Sequence, residues 1–214
     1  MNISSAVQEI KDNGYVLFKN YYQIDFEKIN VIETLLDDKN YSIGKIYKTN
    51  NINSLDNYLK NLVFNTYIKN IFEQLVPDIK CQEIFISHEF KNKSKERNNY
   101  LHFDRLRCLK AIVYLKDVDS IDNGPFSIVP KTHNKSAELR RSFKNESNYE
   151  NKKNRIDIDY INLYKEPIPI LGKAGTLVLF DTDTWHLGGI VQNNCERKVI
   201  RSHWYVNSHW RINS

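Results

Sequence analysis

The second half of the chain is a succession of short apolar segments separated by turn residues, and this pattern restricts the fold more than any other feature. Apolar residues dominate positions 109–115, 126–129 and 176–180, and a last long segment covers 197–206. An Asp-Asn-Gly-Pro turn at 122–125 separates two of these segments. Runs of this length, bounded by Gly, Pro and Asn, are typical of β-strands. The pattern predicts a β-sandwich or barrel.

Helical spacing of apolar residues is confined to the front of the chain. It covers residues 25–38 and 54–75, and Pro77 follows the second segment. Apolar side chains three and four positions apart form one face of a helix, and proline ends it. We therefore expect a mainly β (α+β) fold with flanking N-terminal helices. The expected organisation is one domain over residues 1–214, with 1–80 as largely helical support, a jelly-roll core over 82–206 and a charged insertion or lid at 131–162.

Composition argues against several classes of function. No basic run is interleaved with aromatic residues, so we expect no nucleic-acid partner. No apolar run approaches membrane-spanning length, and the first residues lack the pattern of a signal peptide. The three cysteines lie far apart, which disfavours a disulfide framework or a zinc ribbon. We expect a cytoplasmic protein with a small-molecule substrate, which the net charge of +5 allows to be anionic, and the sequence predicts no oligomeric state.

Three residues of the types that bind ferrous iron stand beside predicted strands. His102 and Asp104 are two positions apart at the start of a strand, so their side chains point to the same face. A His-x-Asp pair alone is more often a surface histidine near a turn aspartate. His186, however, follows another strand, and two histidines with one carboxylate can bind one face of a metal ion and leave the other face open. Arg197, eleven positions after His186, could hold a dicarboxylate that chelates the same metal.

These segments together resemble the phytanoyl-CoA dioxygenase family. The resemblance covers roughly residues 82–206 in ordered segments, and residues 12–18 also fit. It implies a double-stranded β-helix with a jelly-roll or cupin-like barrel, and an enzyme that uses Fe(II), 2-oxoglutarate and O2. It also implies that His102, Asp104 and His186 are the iron ligands and that Arg197 binds the distal carboxylate of 2-oxoglutarate. The segments that carry the resemblance are 100–104, 109–118, 123–130, 175–180 and the pair His186 and Arg197.

The chain departs from the family pattern at two places. Lys131 and Thr132 stand where the family commonly has Gly-Ser, and Gly188 stands where some members have a serine that helps to hold the co-substrate. Lys110 interrupts an apolar strand and is a candidate for this second cofactor-binding anchor, because a buried charge needs a partner. The alternative is a lysine on an edge strand that faces water.

The resemblance predicts a dioxygenase that hydroxylates an unactivated C–H bond of a small-molecule or carrier- or CoA-linked substrate and releases succinate and CO2. Asp104 favours hydroxylation over halogenation, because related halogenases lack this carboxylate. Two alternatives stay open. One is a cupin-type metal enzyme that does not use 2-oxoglutarate, and the other is a jelly-roll binding domain without turnover.

Overall fold

The chain folds into antiparallel strands with helices at its front, as a computed structural model shows. The structure describes residues 1–36, 44–90, 100–104, 106–143, 156, 166–192 and 194–205. The helices are α1 (Ile3–Asn13), α2 (Phe26–Asn30), α3 (Asn57–Val63), α4 (Thr66–Leu75) and α5 (His133–Phe143). The strands are β1 (Tyr15–Phe18), β2 (Gly44–Thr49), β3 (Lys80–Phe90), β4 (Leu109–Tyr114), β5 (Phe126–Ile128), β6 (Ile168–Pro169), β7 (Leu177–Asp181), β8 (His186–Gly188) and β9 (Glu196–Tyr205).

The strands form two antiparallel sheets. The larger sheet has the order β1-β7-β4-β9-β3-β2, and the smaller has the order β6-β5-β8. Strands that are distant in sequence lie side by side, as in the pairing of β3 with β9. Among the described strands, the two sheets are not closed into a barrel by continuous pairing. The predicted mainly β fold with N-terminal helices is confirmed, in the form of an open sandwich.

Alternation along the strands gives the large sheet two different buried faces. One face packs with α1, α3 and α4 in a large apolar cluster that includes Ile86, Val113 and Leu179. The other face packs against the small sheet in a second cluster that includes Tyr114 and Phe180. Because successive side chains of a strand point to opposite faces, β4 and β7 are buried on both sides and are apolar almost throughout.

The helices at the front are shorter than their apolar spacing predicts. The segment expected to be one helix over 54–75 is two helices, because Asp56 caps α3 and Asn65 caps α4 by accepting a hydrogen bond from the backbone N–H of Ile68. The segment expected to be helical over 25–38 contains α2 and one 3-10 turn, and its positions 37–38 lie outside the described residues. A side-chain cap satisfies the free N–H groups of a helix start, and here it outweighs continuous apolar spacing.

The end of α1 contacts the turn that precedes β8. Gly14 ends this helix with φ 84°, a left-handed conformation that favours glycine. Its carbonyl accepts hydrogen bonds from the backbone N–H of Asp181 at 2.9 Å and from Thr184 Oγ1 at 3.1 Å. A Cβ at Gly14 would lie 2.1 Å from Thr184 Oγ1, so a side chain does not fit there. The front of the chain thereby supports the segment that leads into His186.

The predicted insertion or lid at 131–162 includes the helix α5, which is hydrogen-bonded to the residue that precedes β8. Trp185 anchors it: Trp185 Nε1 donates to Ser136 Oγ at 2.9 Å, and its backbone N–H donates to Thr132 Oγ1 at 2.8 Å. Residues 144–155 and 157–162 of this segment lie outside the described residues, so the lid stays a prediction. No helix in the described part of the chain is long and apolar enough to cross a membrane.

Candidate metal centre

His102 and His186 face each other across an antiparallel bridge. Each donates its backbone N–H to the carbonyl of the other, at 3.0 and 2.8 Å, and their ring centroids lie 4.5 Å apart. Directly opposed residues of an antiparallel pair place their side chains on the same face. The two histidines, far apart in the sequence, are therefore brought together as expected.

Backbone carbonyls fix the orientation of both imidazole rings. The Nδ1 atom of His102 lies 3.0 Å from the Tyr100 carbonyl, and that of His186 lies 2.7 Å from the Thr184 carbonyl. A carbonyl oxygen only accepts, so each Nδ1 carries the proton and each Nε2 keeps a free lone pair. Burial and the neighbouring His186 lower the pKa of His102 to about 4, so its ring is neutral at pH 7. Neutral imidazole is the form that binds a metal.

Asp104 completes the group with a carboxylate. Its Oδ1 lies 3.8 Å from His102 Nε2 and 3.5 Å from His186 Nε2, and one ligand atom from each of the three residues lies within 4.8 Å of the others. Burial opposes ionisation of the carboxyl, but the Lys110 ammonium and the His186 ring outweigh it and hold the pKa of Asp104 well below its usual range. Two imidazoles and one carboxylate on one side of a cavity suit a divalent iron ion.

Lys110 is paired with the second oxygen of the Asp104 carboxylate. Its Nζ lies 2.5 Å from Asp104 Oδ2, and only 13% of its side chain is exposed. β4 lies between β7 and β9, so this lysine is not on an edge strand. The structure therefore places Lys110 in the pocket and gives it an acidic partner there, while its role as a co-substrate anchor stays a prediction.

Arg197 lies on β9 directly opposite Glu89 of β3, and both side chains are buried. Arg197 Nη2 donates to Glu89 Oε2, and Ser87 Oγ donates to Glu89 Oε1 at 3.2 Å. Arg197 Nη1 is buried and has no hydrogen-bond partner among the described residues. Because buried donors are nearly always paired, this free nitrogen fits an anionic ligand in the pocket, such as the far carboxylate of a dicarboxylate.

One pocket, of about 190 Å³, joins the three candidate ligands, Lys110 and Arg197. Its remaining wall is largely apolar and comes from both sheets. Gly188 also lines the pocket, at the position where some members of the family have a serine that helps to hold the co-substrate. The apolar lining side chains are Ile112, Tyr114, Phe126, Phe180 and Val199.

His203 and Arg201 extend the pocket along β9. The His203 ring stacks on Phe85 with centroids 4.7 Å apart, and Arg201 lies over the same ring at 5.0 Å. Glu83 Oε2 lies 3.5 Å from His203 Nδ1, while His203 Nε2 is buried without a partner among the described residues. Burial and the charge of Lys110 lower the pKa of His203 to about 3.

Arg107 is a supporting residue that sequence reasoning missed. It donates to both carboxylate oxygens of Asp181, with Nη2 2.7 Å from Oδ2. Asp181 Oδ1 in turn accepts the backbone N–H of Asp183, within the turn that leads to His186. Arg107 thus connects the segment after Asp104 to the segment before His186, which fixes the two halves of the candidate metal centre relative to each other.

Several solved structures share the fold. HygX from Streptomyces hygroscopicus, with nickel and 2-oxoglutarate bound, has a TM-score of 0.66 at 13% identity over 94% of this chain and 85% of that one. The epimerase SnoN, in complex with Fe3+, alpha ketoglutarate and nogalamycin RO, has a TM-score of 0.65 at 13% identity over 94% and 82%. EvdMO1 has a TM-score of 0.59 at 15% identity over 95% of this chain, which spans only 50% of that structure. The likeness confirms the predicted double-stranded β-helix.

Sequence comparison assigns the family. No curated protein matches the chain significantly. A sequence model of the phytanoyl-CoA dioxygenase family does match, over residues 50–199, which is well over half of the chain and includes both histidines, Asp104 and Arg197. Members of this family use Fe(II), 2-oxoglutarate and O2. Since the fold, the family match and the His-Asp-His group agree, the chain belongs to the phytanoyl-CoA dioxygenase family of iron- and 2-oxoglutarate-dependent oxygenases.

Proposed function

We propose that this protein is an iron(II)- and 2-oxoglutarate-dependent dioxygenase that hydroxylates an unactivated C–H bond of a small molecule and releases succinate and CO2. The observation that carries the proposal is the convergence of His102, Asp104 and His186 in the same pocket as a buried arginine nitrogen that has no partner in the described part of the chain. A metal-binding group alone fits many chemistries. The arginine is what favours a dicarboxylate co-substrate.

The protein's part in iron binding follows from its hydrogen bonds. Both histidines would present Nε2, because their Nδ1 atoms are bonded to backbone carbonyls. Asp104 would bind through Oδ1 alone, because Lys110 holds Oδ2. Three single-atom ligands leave the remaining coordination positions to small molecules. Bound iron(II) would supply the oxygen activation and the oxidative decarboxylation of 2-oxoglutarate that no side chain can perform.

The co-substrate would lie between the metal centre and Arg197. The free Nη1 of Arg197 would donate to its far carboxylate, and Lys110 is a candidate for a second contact. Phe126 and Phe180 form an apolar wall beside His186. Such a wall keeps water away from the reacting atoms and strengthens the charged contacts in the pocket.

The substrate class is inferred from the pocket and from the relatives. HygX binds hygromycin B and SnoN binds nogalamycin RO in their solved structures, and both ligands are free small molecules. We extend this to the present chain and favour a small-molecule substrate over a carrier- or CoA-linked one. We also propose that the chain acts as one domain.

The experiment is a turnover assay with iron(II), oxygen and 2-oxoglutarate labelled at C1. Candidate substrates include amino acids, acyl thioesters and nucleotide sugars. We expect labelled CO2 and succinate from the wild type, at least a thousandfold less from Asp104→Ala, and unchanged release from His88→Gln, a histidine variant outside the pocket. Oxidised product formed without 2-oxoglutarate would favour the cupin-type alternative. Tight substrate binding without any succinate would favour the binding domain.

A further inference from the structure

Glu89 places a second carboxylate in the pocket, beside the residue proposed to hold the co-substrate. Glu89 and Arg197 are directly opposed on β3 and β9, and each is only 5% exposed. Both line the same pocket as the candidate iron ligands. A carboxylate in this position was not predicted from the sequence, and the proposed function gives it no role.

The pairing restricts what the arginine can offer to a ligand. Arg197 Nη2 is taken by Glu89 Oε2, while Ser87 holds the other oxygen of Glu89 at 3.2 Å. Nη1 is buried and is left without a partner among the described residues. An unpaired guanidinium presents two parallel N–H groups to a carboxylate. Here Nη2 already donates to Glu89, so a carboxylate that took both Nη atoms would share that nitrogen with Glu89, and a bidentate contact to a co-substrate is weakened.

The negative charge of Glu89 also weakens the binding of a co-substrate carboxylate at Arg197. Lys110, which also lines the pocket, forms its ion pair with Asp104, whereas Glu89 forms its ion pair with Arg197. A second carboxylate that approaches Arg197 Nη1 meets a guanidinium whose positive charge Glu89 already compensates. Two like charges about 5 Å apart repel each other by a few kcal/mol at the effective dielectric constant of a protein pocket.

We propose that Glu89 is the positioning residue for Arg197 and lowers the preference of the enzyme for a 2-oxo acid with a distal carboxylate over one without it. It holds the guanidinium so that a single nitrogen meets the co-substrate. The inference rests on the proposed function, because it assumes that a 2-oxo acid binds beside the metal.

The test compares two co-substrates that differ only at the far end. The iron(II)-loaded protein is titrated without oxygen with 2-oxoglutarate and with 2-oxopentanoate, and each Kd is read from the visible charge-transfer band. The Kd for 2-oxopentanoate divided by the Kd for 2-oxoglutarate measures how much the distal carboxylate contributes to binding. Glu89→Gln removes the charge and keeps an oxygen for Arg197, whereas the control Ser87→Ala removes the Ser87 hydrogen bond and keeps the charge.

We expect the ratio to rise about fivefold or more in Glu89→Gln, through tighter binding of 2-oxoglutarate alone. We expect it to stay within twofold of wild type in Ser87→Ala and to approach one in Arg197→Gln. If Glu89→Gln does not fold, Glu89→Met should give the same rise. An unchanged or lower ratio in the folded Glu89 variant would overturn the inference and leave the proposed function intact. A wild-type protein that binds neither acid would overturn both.

Discussion

The two faces of the six-stranded sheet differ in the chemistry of their buried side chains, although the same strands build both. On the helix side, Ile86, Val113 and Ile200 belong to a continuous apolar cluster. On the pocket side, neighbouring positions of the same strands carry Glu89 and Lys110, both in ion pairs. Each face is largely buried, so burial alone does not distinguish them.

The difference shows how the fold separates stability from chemistry. Burying apolar side chains stabilises the folded state, by about 1.5–3 kcal/mol for each large one. Burying charged groups costs free energy that their pairing at best offsets. We therefore expect substitutions on the helix side to change stability and substitutions on the pocket side to change binding and turnover.

The largest expected effect is on the pocket side. His186→Ala should lower succinate formation at least about a thousandfold, because it removes one of three metal ligands. The buried His186 ring packs against Phe126 and Phe180 and donates to the Thr184 carbonyl, so the metal-free protein should also lose about 1–3 kcal/mol of stability, and turnover is compared per folded molecule. The measurements are a turnover assay and urea unfolding of the apoprotein. Retention of half the wild-type turnover would show that His186 is not a ligand.

On the helix side we expect the opposite result. Ile200 is fully buried beneath the helices, and Ile200→Ala should lower the free energy of unfolding by about 2–5 kcal/mol. Iron binding per folded molecule should stay at the wild-type value. Ile200→Val is the matched smaller change, with an expected loss of about 0.5–1.5 kcal/mol. Denaturant unfolding and an iron titration check both, and a loss of iron affinity without a loss of stability would break the comparison.

A third prediction concerns pH and His203. Its folded-state pKa is about 3, against an ordinary value of 6.5, because of burial and the charge of Lys110. Below pH 6.5 His203 is therefore protonated in the unfolded chain but stays neutral in the folded chain. The free energy of unfolding falls as the pH drops from 6.5 towards 3. Between pH 6.5 and 4.5 the loss should be about 2 kcal/mol.

His203→Phe keeps a ring to stack on Phe85 and removes the titrating nitrogens. Unfolding of the metal-free proteins, followed in urea over this pH range, should show a shallower pH dependence for the variant by about 1.4 kcal/mol per pH unit at its steepest. Parallel curves for the two proteins would mean that His203 is not held neutral by its surroundings.

The smallest expected effect is at a helix cap far from the pocket. The Asn65 side chain accepts the backbone N–H of Ile68 at the start of α4. Asn65→Ala should lower the free energy of unfolding by about 1 kcal/mol, whereas Asn65→Asp, which keeps the accepting oxygen, should lower it much less. Thermal and urea unfolding measure this. Any change in the Kd for 2-oxoglutarate would contradict the separation of the two faces.

Much of the fold and of the candidate centre could be predicted because the signals are local. Strand alternation predicts a shared face for His102 and Asp104, which do converge although His102 forms only an isolated bridge with His186 and not a strand. Apolar runs locate the central strands β4 and β7. The pairing of Glu89 with Arg197 could not be predicted, because it depends on the register between two strands that are far apart in the chain. β2 was missed for a different reason: Ile46 is its only buried residue, so the segment carries little of a strand's apolar pattern.

The account depends most directly on whether one iron ion binds at His102, Asp104 and His186 and accepts 2-oxoglutarate. The decisive measurement is the visible absorption of the anaerobic protein with one equivalent of iron(II), before and after addition of 2-oxoglutarate. We predict a charge-transfer band that appears with 2-oxoglutarate, saturates at one iron per chain and is absent in His102→Ala. A folded wild-type protein that shows no band, or a His102→Ala protein that shows the full band, would contradict the account.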